Sequence, residues 1–410
     1  MNNRRENEQS ILRSMDNTFP KLLLRNYRQW GDTRVALRKK EYGIWKEYTW
    51  KECYEKVKAI FLGLVSVGLE AGDKVSILGD NNPEWFWSEL AVQSAGGIAL
   101  GLNPGGSPQE AKYVLEDSQS KLVLVQDQEQ VDKLLGINDQ LPSLQRIIYW
   151  NDKGLRHYDD AILVSLAEVI RLGEEHEKSH PGDFEQNLAV GKGDDVAMIL
   201  YTLGSNGLPK ALPATYQFLL SSLESALASN PAYDSDEYVS VITPGWFFEQ
   251  VLGFAACLVS GQKLNFIERP ETAPEDSREV SPHILVYPSP VWDQIASAIE
   301  TNVGSGTWLK RTLYHRSLSL GYERTDLSSS GGQMNIFKGF LHAIAGPLLF
   351  RPLKDKHGLN RTRVIYAAGS ILPPQTTRFF AAIGVNLRQV FASTEGGIVS
   401  VHPGDDVNIQ

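Results

Sequence analysis

The chain has 410 residues, 42% of them hydrophobic and 22% charged, the balance of a globular protein too long for a single core. Forty basic against 49 acidic residues give a formal net charge of −9 with no long basic run, so a nucleic-acid partner is not expected. Two distant cysteines, Cys53 and Cys257, predict neither a disulfide framework nor a structural zinc site and fit a reducing, cytoplasmic compartment.

Residues 1–15 are polar and read as a tail without a secretory signal. No stretch reaches 18 uninterrupted apolar residues, so any membrane contact is expected to be peripheral, at the inner face. Apolar residues at helical spacing over Trp50–Val67 predict a helix stopped by Gly68. KVSILGD (74–80) predicts a strand, after which Asn82 caps a helix with Pro83 at its first position. The strand IALGLNP (98–104) follows, then Ser107-Pro108 repeats the cap logic before another helix. KLVLVQD (121–127) and LQRIIYW (144–150) are the next strands, and residues 170–194 read as a charged helix and a connector. The cycle restarts with DVAMILYT, a helix over 215–230, the strand EYVSVITP, a helix over 247–261 and the strand KLNFIE. DLSSSGGQMN (326–335) is the one insertion of loop composition.

Apolar strands separated by helices of about ten residues or more predict parallel sheets covered on both faces. The boundaries expected are a subdomain over 16–190 and a second over 191–410.

The most informative stretch is YTLGSNGLPKALPATY (201–216). A strand delivers the chain into Gly204-Ser205-Asn206-Gly207, where glycines let backbone N–H groups approach phosphate oxygens and Ser205 and Asn206 add donors. Lys210 adds a positive charge after the turn. The Gly-Lys-Ser/Thr ending of a Walker A loop is missing. The string resembles the phosphate-binding signature of the adenylate-forming superfamily, which includes acyl-CoA synthetases, luciferases and peptide-synthetase adenylation domains. Tyr201, Thr202, Gly204, Gly207, Pro209, Lys210 and Thr215 match its pattern; Leu203, Ser205, Asn206, Ala211, Pro213 and Tyr216 depart from it. Leu203 loses a hydroxyl and Pro213 an N–H.

RVIYAAGSILPPQTTRFFAAIGVNLRQVFASTEGG (363–397) resembles the same family's adenine loop and the acidic motif after it. VITPGWFFEQ (241–250) resembles the segment bordering its acyl site, and WLKRTLYH (308–315) and LLFRPLKDKHGLNRTR (348–363) are similar to a bacterial long-chain fatty acyl-CoA synthetase subgroup. The resemblance implies stacked αβαβα layers from two mostly parallel sheets, the N-terminal domain of an adenylate-forming enzyme. It implies ATP, Mg²⁺ and CoA as cofactors or co-substrates and a fatty acid as substrate. Thr202, Gly204, Ser205, Asn206, Gly207 and Lys210 would hold phosphates, and Thr202 and Glu395 the Mg²⁺. The adenine would rest on Ala368, Gly369, Ser370 and Ile371, with Gln389, Phe391, Ala392, Ser393 and Thr394 beside it. Lys210, Thr202 and Glu395 would be the catalytic set, and Trp246 would gate the acyl chain.

No segment matching the family's ribose-binding aspartate, hinge or lysine-bearing C-terminal lid follows Glu395 in these residues. The chain is therefore read as most of an N-terminal domain, and weak ATP binding with little acyl-CoA formation is expected. A homodimer, a separate chain supplying the lid, and a non-catalytic nucleotide- or acyl-binding protein of the same fold stay open. A GxSxG elbow and a GxGxxG turn after a strand are not found, which sets aside hydrolase and dinucleotide readings.

Overall fold

Each apolar run read as a strand from the sequence forms one. The computed structural model describes residues 17–203, 209–329 and 335–401. In chain order the strands are β1 (Val35–Glu41), β2 (Ile44–Thr49), β3 (Lys74–Leu78), β4 (Ile98–Leu102) and β5 (Leu122–Val125). They continue as β6 (Arg146–Tyr149), β7 (Leu163–Ser165), β8 (Val196–Leu203), β9 (Pro209–Thr215) and β10 (Glu237–Ser240). The last are β11 (Lys263–Phe266), β12 (Ile284–Pro288), β13 (Val364–Ala368), β14 (Leu387–Ser393) and β15 (Gly397–Val401).

The chain divides into two units. The first holds the residues through Glu224 together with Ile242–Phe266; the second holds Ser225–Val241 and the residues from Ile267 onward. In the first unit seven strands run in the order β7-β6-β5-β3-β4-β8-β9. All neighbours are parallel except β9, which turns antiparallel to β8 at the edge. Every residue of β5 is buried, the pattern of a strand packed on both faces. Its Val123 and Val125 share a core with Leu78, Leu102, Val114, Leu134 and Ile147. The same unit pairs β1 parallel with β11 and antiparallel with β2.

In the second unit five strands run in the order β15-β14-β13-β12-β10, again parallel apart from the antiparallel edge strand β15. The expected α/β architecture of mostly parallel sheets and helices is what forms.

Local signals act as anticipated at Ser107. Its side chain accepts from Glu110 N while the Glu110 carboxylate accepts from Ser107 N, and Pro108 starts the helix Pro108–Ser118. Asn82 differs: the helix Pro83–Ser94 begins after it, but its side chain makes no cap bond. Its amide turns back to the Asp80 carbonyl and Gln126 Oε1 instead, at 3.4 Å each. The charged span 170–194 also differs. It holds the end of a helix Leu166–Ser179 and then a second helix, Asp183–Val190, whose Phe184 and Leu188 are buried.

The second unit's core centres on Trp292, which is fully buried. Its ring meets Tyr287 and Phe380 edge-on, each at 5.3 Å, and its Nε1 donates to the Tyr366 carbonyl at 3.3 Å. Trp292→Ala is expected to destabilise this unit by about 3–5 kcal/mol, and Trp292→Phe by less. Urea unfolding of both variants measures the difference.

Candidate functional site

The first cluster is built on a hairpin. β8 and β9 pair so that Thr202 lies directly opposite Lys210 and Leu203 opposite Pro209. Facing residues of an antiparallel pair project to the same side, so the Thr202 and Lys210 side chains leave the hairpin on one face, next to its last described pair. Thr202 is half-buried and Lys210 exposed. Gly204, Ser205, Asn206 and Gly207 lie outside the described residues. β8 is parallel to β4, and its carboxyl end lies at the edge where open α/β sheets receive ligands.

Two phenols, Tyr201 of β8 and Tyr113 of the helix Pro108–Ser118, tie the hairpin to that helix. The Tyr201 hydroxyl donates to Asp117 Oδ2 at 2.8 Å, and the Tyr113 hydroxyl donates to the Pro209 carbonyl at 3.0 Å. Burial and the Asp117 charge raise the Tyr201 phenol, which stays a protonated donor. Pro213 sits opposite Ile199 in β9, the edge strand of the sheet, where a missing N–H is tolerated.

Trp246 is half-buried in the same unit and ends a turn held at both ends by buried amides. Asn81 Nδ2 donates to the Ile242 carbonyl at 2.6 Å, and Gln250 Nε2 donates to the Pro244 carbonyl at 2.8 Å. Next to Pro244, Gly245 lies so close to Gly101 of β4 that a Cβ on Gly101 would overlap the Gly245 backbone. Gln250 lies in the first turn of a π-helical stretch, Glu249–Ala255, and its Nε2 also donates to Glu89 Oε2 at 2.9 Å. Gln93 Nε2 reaches Glu89 Oε1 at 3.0 Å.

Glu89 is 1% exposed, and burial pushes its carboxyl up to about 8, outweighing the two amide hydrogen bonds that pull it down. It is therefore neutral at pH 7 and carries an O–H. Among the described residues no donor reaches Gln93 Oε1. Amide orientation follows from hydrogen-bond satisfaction, and turning the Gln93 amide would let that oxygen accept the Glu89 proton. Gln250 is held more firmly, because its Nε2 serves the Pro244 carbonyl at 2.8 Å whereas the further bond of Gln93 Nε2, to the Ala197 carbonyl, is long at 3.4 Å.

The second cluster lies in the other unit, at the carboxyl ends of β13 and β14. Ala367 pairs with Gln389 in parallel register, and continuing that register sets Gly369 beside Phe391. Ala368 is buried, whereas Gly369 (φ +83°), Ser370 and Ile371 turn outward. Ser289, buried at the end of β12, donates its Oγ to the Ser370 carbonyl at 2.7 Å and fixes the turn. Ile371 at 83% and Phe391 at 62% exposure are apolar side chains left open at this edge. Ala392 is half-buried and Ser393 exposed. β14 then reverses into β15 through Thr394, Glu395 and Gly396, with Ser393 Oγ accepting from Gly396 N at 2.9 Å. Glu395 is exposed on that turn.

Among the described residues no three His, Cys, Asp or Glu side chains gather as a metal cage. A magnesium ion on nucleotide phosphates needs only one or two protein oxygens, and Glu395 and Thr202 have the chemistry for that.

Sequence reading nominated the turns but not their supports. Tyr113, Asp117 and Ser289 carry no motif, although a Ser-Pro helix start at 289–290 is a visible cue. Glu89 and Gln250 are 161 positions apart and meet only in the fold.

A family model described as AMP-binding enzyme matches residues 23–409, and the chain belongs to that family. It is 24% identical over 386 residues to the long-chain-fatty-acid–CoA ligase ACSBG2 of Xenopus laevis, covering 92% of this chain and 51% of that protein. The long-chain-fatty-acid–CoA ligase FadD15 of Mycobacterium bovis is 22% identical over 372 residues, covering 90% of this chain and 59% of that one. Vertebrate as well as bacterial ligases thus share the sequence, so the bacterial subgroup is supported only in part. The crystal structure of a long-chain-fatty-acid-CoA ligase (FadD1) from Archaeoglobus fulgidus matches with a TM-score of 0.69 at 15% identity, covering 94% of this chain and 66% of that one. The chain spans about half the length of the curated relatives it matches.

The Glu89 carboxyl gives a pH signature. An unfolded glutamate sheds its proton near 4.5 while the folded one keeps it to about 8, so folded-state stability falls as pH rises through that window. The slope is about 1.4 kcal/mol per pH unit. Glu89→Gln is expected to flatten the decline in urea midpoint between pH 5 and pH 8. Parallel profiles for the two proteins would contradict the assignment.

Proposed function

We propose that this chain carries the nucleotide- and fatty-acid-binding part of an AMP-forming long-chain fatty acid–CoA ligase. The observation that carries the proposal is the pairing of Thr202 with Lys210 where β8 meets β9, at the carboxyl end of a strand parallel to β4. In this reading Lys210 and the turn hold the β- and γ-phosphates. Gly369–Ile371 and Phe391 hold the adenine face by close backbone approach and ring stacking. Glu395 and Thr202 take the magnesium, which neutralises phosphate charge when bound. Trp246, fixed by its two amide clamps, stands at the acyl entrance.

The chemistry asks little covalent work of the protein. A fatty carboxylate displaces pyrophosphate at the α-phosphorus of ATP, and the CoA thiol then displaces AMP from the acyl-adenylate. Positioning and charge neutralisation dominate such steps. The proposed location is the cytoplasm. The departures at Leu203 and in the turn support a second reading, a nucleotide- or acyl-binding protein of this fold that does not turn over.

Calorimetric titration with ATP–Mg²⁺ is expected to show one site, weakened roughly tenfold or more by Lys210→Ala, the worth of about 1.5–3 kcal/mol for one charge-assisted contact. Identical heats for the two proteins would discredit the phosphate assignment. With palmitate added, these 410 residues are expected to release pyrophosphate far below the ~10 s⁻¹ of a typical enzyme. Turnover at that ordinary rate would overturn the expectation of low activity, and binding without any release would favour the second reading.

A further inference from the structure

Fifteen large hydrophobic side chains stand exposed among the described residues, and seven of them fall between 308 and 348. Trp308, Leu309 and Leu313 open the helix Trp308–Ser329. The others, Phe337, Phe340, Ile344 and Leu348, recur at i, i+3, i+7 and i+11 along Ile336–Ala345 and the π-turn Gly346–Phe350. That spacing is one face of a helix. Ala345 and Phe350 from this second segment share a buried core with Tyr314 and Leu318 from the first. The second segment is therefore apolar on two sides, and only one is buried in its own unit.

The charge around this face runs against the rest of the chain. Residues 308–356 hold eight Lys and Arg against three Asp and Glu, in a protein of net charge −9. All three carboxylates are engaged: Glu323 with Lys338 at 2.6 Å, Asp326 with Arg378 at 2.5 Å and Asp355 with Arg278 at 3.2 Å. Lys310, Arg311, Arg316, Arg351 and Lys356 remain exposed beside the apolar residues.

We infer that this face docks on an anionic lipid bilayer, its aromatic and aliphatic side chains at the acyl boundary and its lysines and arginines at the headgroups. An exposed apolar stripe edged by cations is the composition of a helix that lies in a membrane surface. No described helix is long and apolar enough to cross a bilayer, so the contact lies on the surface. A symmetric contact with a second copy would set this cationic face against itself, so the excess of cations selects an anionic partner of another kind. The inference is independent of the ligase reading, since a chain without turnover would dock equally well.

Co-sedimentation of the whole 410-residue chain with phosphatidylcholine vesicles, with and without phosphatidylserine, tests it. Binding is expected only to the anionic vesicles and is expected to weaken with added salt. A Phe337→Ser/Phe340→Ser variant is expected to lose binding by about tenfold or more with unchanged circular dichroism. A separate Arg351→Glu/Lys356→Glu variant, which keeps every apolar residue of the stripe, is expected to bind weakly as well. Binding unaffected by either variant, or equal binding to neutral vesicles, would overturn the inference. So would a dimer in sedimentation equilibrium that the double phenylalanine variant dissociates, because the face would then belong to a second copy.

Discussion

Parallel strand pairing is the constraint from which the candidate site follows. A parallel strand must hand its chain to a crossover before the next can begin, so consecutive turns emerge at the same edge of the sheet. In the first unit the turns after β3, β4 and β8 leave at one edge; in the second the turns after β12, β13 and β14 do the same. Backbone donors at that edge have left the ladder and can face a ligand. β8 and β14 each close their parallel run by folding back on an antiparallel partner. Both polar motifs nominated from the sequence therefore sit on hairpin turns that extend past a parallel edge.

Hairpin turns are weakly held unless something outside them fixes the register, and here the fixing groups are buried polar side chains. Tyr113 and Asp117 secure the first hairpin from a neighbouring helix, and Ser289 secures the Gly369–Ile371 turn from an adjacent strand end. Glu89 does comparable work for the turn before Trp246, through Gln250. A neutral carboxyl is the form that suits this place, because an ionised one would be held there by the uncharged amides of Gln93 and Gln250, with no cation beside it among the described residues.

Much of the fold could be read from the chain. The short apolar runs at β3, β4, β5 and β6 and the Ser-Pro cap at 107–108 state their structure locally, since each depends on neighbours within a few residues. The β1–β2 hairpin did not show itself. Its strand carries Lys39 and Lys40, both buried, which breaks the alternation expected of a half-buried strand. The helix Asp183–Val190 was hidden by surrounding charge and by Pro181-Gly182, and only its buried Phe184 and Leu188 define an apolar face. In the site the turns were legible because glycine, hydroxyl and lysine must be near each other in sequence to share a phosphate. Their supports were not, because a hydrogen bond between Tyr113 and Pro209 leaves no local trace.

The proposal to be tested is that the residues nominated in each unit, Lys210 in the first and Phe391 in the second, bind nucleotide. Photolabelling with 8-azido-ATP, followed by peptide mapping, tests it most directly. The label is predicted in the peptides spanning β13 and β14, displaced by excess ATP and largely lost in Lys210→Ala. Labelling confined to other peptides, or labelling of β13 and β14 that Lys210→Ala leaves untouched, would contradict the account.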